Sequence, residues 1–289
     1  MMTLIGIAVV FLAVVGGYLM GHGNLSVLFQ PAEVVIIFGA AIGSLLIASP
    51  GRIVQAVIKD ITRVFADHKL GKEHYLELLL LFNALFYKIK KDGLIAVEAD
   101  VDNYQKSPLF QKYPNIMLKD EEAANFICDT IRVMITANYP PHEVEALMDI
   151  DLETTSHERM VPAHMITKIA DSLPGLGIVA AVLGVVLTMG KISEPPEVLG
   201  HHIGAALVGT FLGILASYGF VGPMATNLEH KAKHREIYMN VLKTTLLAAY
   251  SSGFMAQYAV EAGRRSIPLE ERPSFAETDI AIKKWKTKP

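Results

Sequence analysis

Basic side chains are missing from long stretches of this 289-residue chain. Of its 26 Lys and Arg residues, fourteen lie between Arg52 and Lys168 and eleven from Lys231 onward, which leaves only Lys191 elsewhere. Cytoplasmic flanks of membrane spans collect Lys and Arg. The gaps therefore predict that both polar blocks face the cytoplasm and that the links on the opposite side are short. The single cysteine, Cys128, excludes an internal disulfide framework and fits a reducing compartment. It reads as a small buried hydrophobe. No concentrated basic patch points to nucleic acid. No Walker motif, nucleophile elbow or glycine-rich loop after a strand is present, so the chain does not read as an enzyme. His230 and His234 stand four apart on an expected helix, yet no third ligand accompanies them, and an exposed polar face is expected in place of a metal site. His201 and His202 fall at the mouth of the last span. Nothing in the sequence calls for a cofactor.

What the chain has is apolar length. Hydrophobic residues make up 52% of it, concentrated in four segments of about the 20 residues needed to cross a bilayer core. The spans are expected near Leu4–Met20, Val34–Ala48, Leu173–Gly190 and Ile203–Val221. The first segment lacks a basic leading region and a small-x-small cleavage site, so it reads as a retained span in preference to a signal peptide. The expected fold is an all-α integral membrane protein with four transmembrane helices. A large helical cytoplasmic domain lies between spans two and three, and a cytoplasmic helix and tail end the chain. The expected parts are 1–49, 50–170, 171–225 and 226–289.

Within the polar block, Ile53, Val57, Ile61 and Val64 have helical spacing and read as a continuation of span two. KEHYLELLLLFNALFYKIKK reads as a thoroughly buried helix, EEAANFICDTIRVMITAN as one broken by Pro140-Pro141, and PHEVEALMDIDLETTSHERM as another. A long amphipathic helix is expected from about Ala225, followed by a disordered basic tail containing Lys283, Lys284, Lys286 and Lys288. Lys88, Lys90 and Lys91, like Asp149, Asp151 and Glu153, read as solvated faces.

Small residues recur at helical spacing in the last two spans: Gly177, Ala181 and Gly184, then Ala205, Gly209, Gly213 and Ser217. Gly17 with Gly21 and Gly39 with Gly43 repeat the pattern. Such spacing lets membrane helices approach closely, within one bundle or between subunits. No ionisable residue lies deep in a span: Glu33, Asp171, His201 and His202 are near the ends. Intramembrane proton relays rest on ionisable groups, so a carboxylate is expected from a second protein. Thr188, Thr210, Ser217 and Tyr218 offer hydroxyls that either line a path or bond back to their own helix.

Four stretches resemble one family closely. DSLPGLGIVAAVLGVV at 171–186, VGTFLGILASYGFVGPMAT at 208–226, QPAE at 30–33 and ERPSF at 271–275 are similar to the MotA family of flagellar motor stator subunits, over nearly the whole chain. The resemblance implies a bacterial inner-membrane protein with both termini cytoplasmic. It implies that a single-span partner, MotB, supplies the ion-binding Asp, and that a homo-oligomer, a pentamer around a MotB dimer, turns ion flow into torque on the rotor protein FliG. Pro174 and Pro223 match the family's two important prolines, and a proline kinks a helix by deleting a hydrogen bond. For Pro174 a plain helix start is the other reading. Ala181, Thr210 and Tyr218 fall on the implied ion path. Sodium-type members carry Thr where this chain has Ala181, so the resemblance favours a proton. Lys90 and Glu98 match the rotor-contacting charged pair. Lys90 replaces the usual Arg, which keeps the charge but loses the forked geometry.

Three alternatives remain at this level. An ExbB- or TolQ-type subunit shares the last two spans but has three spans in all. A secondary transporter predicts inverted repeats and broken helices, and no duplication is evident. A non-conducting membrane scaffold is the third.

Overall fold

The computed structural model describes residues 2–65, 70–137 and 139–287, and among them all regular structure is helical. The ends of two expected helices, at Ala66–Asp67 and at Asn138, and the tail residue Lys288 lie outside the described residues, as does the side chain of Lys286. Four helical stretches are long and apolar enough to cross a membrane: Met2–Met20, Leu25–Ala48, Pro141–Met189 and Pro196–Ser251. The chain divides into two compact units, residues 1–67 with 157–232 and residues 68–156 with 233–289.

The first unit carries the apolar segments. Helix α1 covers Met2–Met20, the single turn α2 Leu25–Leu28, and α3 Pro31–Ala48. None of the residues of α1 is buried by this chain. Pro31 opens α3 at a position whose N–H has no partner in any helix. The amphipathic segment does not continue span two. Ser49, extended at φ −132° and ψ 134° because it precedes Pro50, ends α3, and α4 begins anew at Gly51–Arg63. Its expected stripe is present in part: Val57 and Val64 are buried against Leu45, Ala163, Ile166, Ala225 and Leu228 with Ile53 packed beside them, while Ile61 is exposed.

Helix α9, Pro141–Met189, also departs from expectation. The polar helix and the third span are one 49-residue helix with Pro162 and Pro174 in its interior. A proline there removes one bond of the ladder but does not end the helix when packing holds both sides. Pro174 is therefore no helix start. Helix α10 covers Pro196–Ile214, a π-helical stretch follows at 215–221, and α11 runs over Gly222–Ser251.

The second unit is built around α5, Lys72–Asp92, which is apolar on nearly every side and correspondingly buried from Leu78 to Phe86 except for half-buried Leu80. Around it pack α7 (Pro114–Met117), α12 (Ala256–Ser266) and α13 (Phe275–Thr287), while α8 (Glu121–Ala137) packs on α6 (Glu98–Asp102) and on α7. Cys128 is buried there as expected, and burial pushes its thiol up to about 12. The tail is helical, contrary to expectation. Ser274 and Glu277 cap α13 reciprocally, with the Glu277 N–H donating to Ser274 Oγ at 3.2 Å and the Ser274 N–H donating to Glu277 Oε2 at 2.7 Å. Trp285 meets Tyr87 edge-on, ring centroids 5.7 Å apart, which holds the helix on α5.

Candidate functional site

The third and fourth apolar stretches cross at their glycines. A Cβ added to Gly213 would fall 2.6 Å from the Leu173 carbonyl oxygen and 2.8 Å from the Gly177 Cα. One added to Gly177 would meet the Gly209 carbonyl oxygen at 2.8 Å and the Thr210 Cα at 3.3 Å. Farther along, Gly184 faces Ala206, and Gly209 faces Ala180 and Ala181. The two backbones are thus in contact over three turns in antiparallel register, which only missing side chains permit. The other expected packing pairs differ: Gly17, Gly39 and Gly43 have nothing within 4 Å of an added Cβ.

Three of the expected path residues gather at this crossing. Pro174 is half-buried beside Leu173, the Ala181 nitrogen faces Gly209, and Thr210 faces Gly177. Thr188, also expected to bond back to its own helix, does so: its hydroxyl donates to the Gly184 carbonyl at 2.8 Å.

Glu33 lies at the end of its apolar segment, as expected, but it is buried there. Its side chain is 7% exposed. The carboxylate reaches between α9 and α10, so that Oε2 would lie 2.5 Å and Oε1 3.3 Å from Cβ atoms added to Gly209 and Gly184 respectively. Sequence position alone locates a Cα, not the end of a four-bond side chain.

Tyr218 and Pro223 meet elsewhere, in a cleft of about 630 Å³ lined also by Asp171, Ser217, Glu229 and His230. The π-helical stretch explains its shape. Pro223 has no N–H to give the carbonyl of Gly219, and the turn before it widens until the Gly222 N–H donates to the Ser217 carbonyl, five residues back. Tyr218, 74% exposed, projects from this widened turn. In the cleft Thr167 Oγ1 donates to Glu229 at 3.4 Å, and the Asn227 side-chain oxygen is buried without a partner among the described residues.

Lys90 and Glu98 belong to the second unit, on α5 and at the start of α6, and both are exposed. Between them Gly93 turns the chain at φ +90°, where a side chain would be strained. Lys88 is not part of a solvated face. Its ammonium donates to the buried Asp100 at 2.5 Å, and Ser107 donates to the other Asp100 oxygen at 2.7 Å, which pins α6 to α5. Lys90 donates to the Gly253 carbonyl at 3.1 Å. Asp149 is likewise engaged, accepting from Lys243 at 2.6 Å, with Glu145 at 3.4 Å. Burial opposes the charge on Lys243, but these two carboxylates outweigh it and hold the ammonium above its usual range. Arg235, central to this unit and unremarked in the sequence, forks onto Asp120 and Glu122 and lies over the Tyr238 ring at 5.0 Å.

Comparison with known proteins agrees with this layout. Residues 4–93 match the family described as Motility protein A N-terminal, and residues 118–240 match the MotA/TolQ/ExbB proton channel family. The chain is 41% identical to Motility protein A of Escherichia coli (strain K12) over 98% of its own length and 95% of that protein. It is 31% identical to Chemotaxis protein LafT of Vibrio parahaemolyticus over 99% and 98%. Its fold is similar to a chain of C. jejuni MotAB, with a TM-score of 0.76 at 17% identity over 94% and 98%. A chain of the flagellar MotAB stator complex from Bacillus subtilis gives 0.72 at 23% identity over 92% and 94%.

Proposed function

This chain belongs to the motility protein A family, and on that premise we propose that it is a flagellar motor stator subunit that forms an ion channel with MotB and turns ion flow into torque. The near full-length identity to a Motility protein A carries this reading. The geometry supports it. A stator subunit needs a rigid channel wall, which the close glycine crossing supports, and a part that engages the rotor, for which the exposed Lys90 and Glu98 of the α5-centred unit are the candidates.

The finer assignments follow from the same premise. The ion is a proton, because Ala181 brings no oxygen to the α9–α10 crossing where a dehydrated sodium ion would need one. Pro174, Thr210, Tyr218 and Pro223 lie along the coupling path, and Lys90 with Glu98 contacts FliG. Subunits assemble as a pentamer around a MotB dimer. The unburied α1 and the open glycines at 17, 39 and 43 are consistent with faces covered by lipid or neighbouring subunits. The chain lies in the inner membrane with both termini in the cytoplasm, and it acts as a channel and motor part, not an enzyme. An ion crossing about 100 mV releases only about 2.3 kcal/mol per charge, so torque comes from repeated steps.

Deletion of the gene tests the function. Cells that assemble flagella but do not swim, and swim again when the gene is restored, are expected. Unaltered swimming in a strain without a second stator would overturn the reading. For the rotor contact, Lys90→Glu is expected to lower swimming speed under load while membrane insertion stays unchanged.

A further inference from the structure

Glu33 is a buried carboxylate for which neither the crossing nor the cleft has a use. A Glu at the third position of a helix ordinarily reaches back to the backbone N–H of the residue that caps it. Glu33 stands three residues after the cap Gln30 but turns away, into a seat that Gly184 and Gly209 leave by having no side chain. It is more than nine-tenths buried, and its Oε2 has no hydrogen-bond partner among the described residues. A carboxyl group taken out of water without a partner costs several kcal/mol unless it binds something. The Gly184 carbonyl beside it already accepts from Thr188.

No counter-charge is close at hand in the sequence of the elements around it. Helix α9 has no titratable side chain between Asp171 and its end at Met189, and α2 has none. In α10 the titratable side chains, Glu197, His201 and His202, all fall within the first seven residues. In α3 Glu33 is itself the only one.

From this seat we infer that Glu33 is a proton-binding station within this chain. It accepts a proton from the side of the short links and releases it toward the carboxylate that the partner supplies. The step is a transfer of one proton onto a carboxylate oxygen and off again, with no other bond made or broken. The inference rests on the channel reading above and adds to it a site in the stator subunit itself. The two glycines are part of the site, since a methyl at 209 would occupy the place of Oε2.

The test uses the full complex with its single-span partner, measuring proton uptake and swimming speed at external pH from about 5 to 8. Glu33→Gln keeps the shape and removes the proton site. It is expected to lower proton uptake at least about threefold at the alkaline end, where protons are scarce, with little loss at the acid end. Glu33→Asp is expected to restore much of the alkaline rate. Co-purification of the partner is expected to be unchanged in both variants. A Glu33→Gln complex matching wild type at every pH would overturn the inference. So would a defect of equal size at all pH values, or loss of the partner, since either marks a purely structural role. If the wild-type complex itself takes up no protons, the channel reading fails instead, whatever Glu33 does.

Discussion

A methyl group on Gly213 would sit 2.8 Å from the Cα of Gly177, closer than carbon atoms approach. The Gly177 Cα is backbone and a Cβ is fixed by its own backbone, so neither helix can yield by turning a side chain. Gly213→Ala is expected to force α9 and α10 apart at a cost of about 1–3 kcal/mol. A lower melting midpoint of the detergent-solubilised protein and loss of swimming should follow. Gly39→Ala, with open space around it in this chain, is the control and should leave the midpoint unchanged.

The widened turn before Pro223 makes a second expectation. With an N–H restored at that position, Pro223→Ala allows the stretch 215–221 to relax toward an ordinary α-helix, which would move Tyr218 around the helix axis. Swimming speed should fall by more than about half while the protein remains as stable as before or more so, because an interior helical proline costs about 3 kcal/mol. Unchanged motility would mean that the π-helical stretch has no part in coupling.

Asp100 lies buried between Lys88 and Ser107. Lys88→Met removes the charge opposite it and leaves Ser107 as the remaining partner of those two, at a cost of about 1–3 kcal/mol. Amide exchange over α6 should accelerate, and torque should drop as Glu98 loses its fixed relation to Lys90. The double variant Lys88→Met with Asp100→Leu should recover part of the stability, as expected when both members of a buried pair are replaced together.

Burial, the largest cause, holds the His74 imidazole below its ordinary value, against the opposing pull of Glu77 and Asp120. The folded chain therefore resists a proton that the unfolded chain accepts. Stability from this group is complete above about pH 6.5 and is lost as pH falls through the lower, folded value. His74→Gln should flatten the acid side of the stability profile below about pH 6.5. An unaltered profile would assign that slope to other groups.

The spans were legible because length and hydropathy leave little choice inside a bilayer. Helix α5 was legible as buried because it is apolar all round. Three local signals were outweighed. The apolar stripe running past Pro50 masks its local effect, although the residue before a proline is pushed out of the helical region and that is what separates α3 from α4. Pro174 left a helix start open, whereas packing of Leu173 against Gly213 keeps the helix running past it. The Ser274–Glu277 spacing of a capping box was present in the tail, but the lysines after it favoured disorder. Glu33 could not be found by position, because its environment is set by glycines about 150 and 175 residues away that only the fold brings near. The spacing of Lys90 and Glu98 gave no hint of the Lys88–Asp100 link that fixes them.

The chain contains a single tryptophan, Trp285, and its indole rests edge-on against Tyr87. Intrinsic fluorescence therefore reads out one place, the seat of the C-terminal helix on α5, without any attached dye. Release of that helix should shift the emission to longer wavelength as the indole becomes hydrated, so an ordinary spectrometer can follow whether the segment stays docked when the stator meets its rotor.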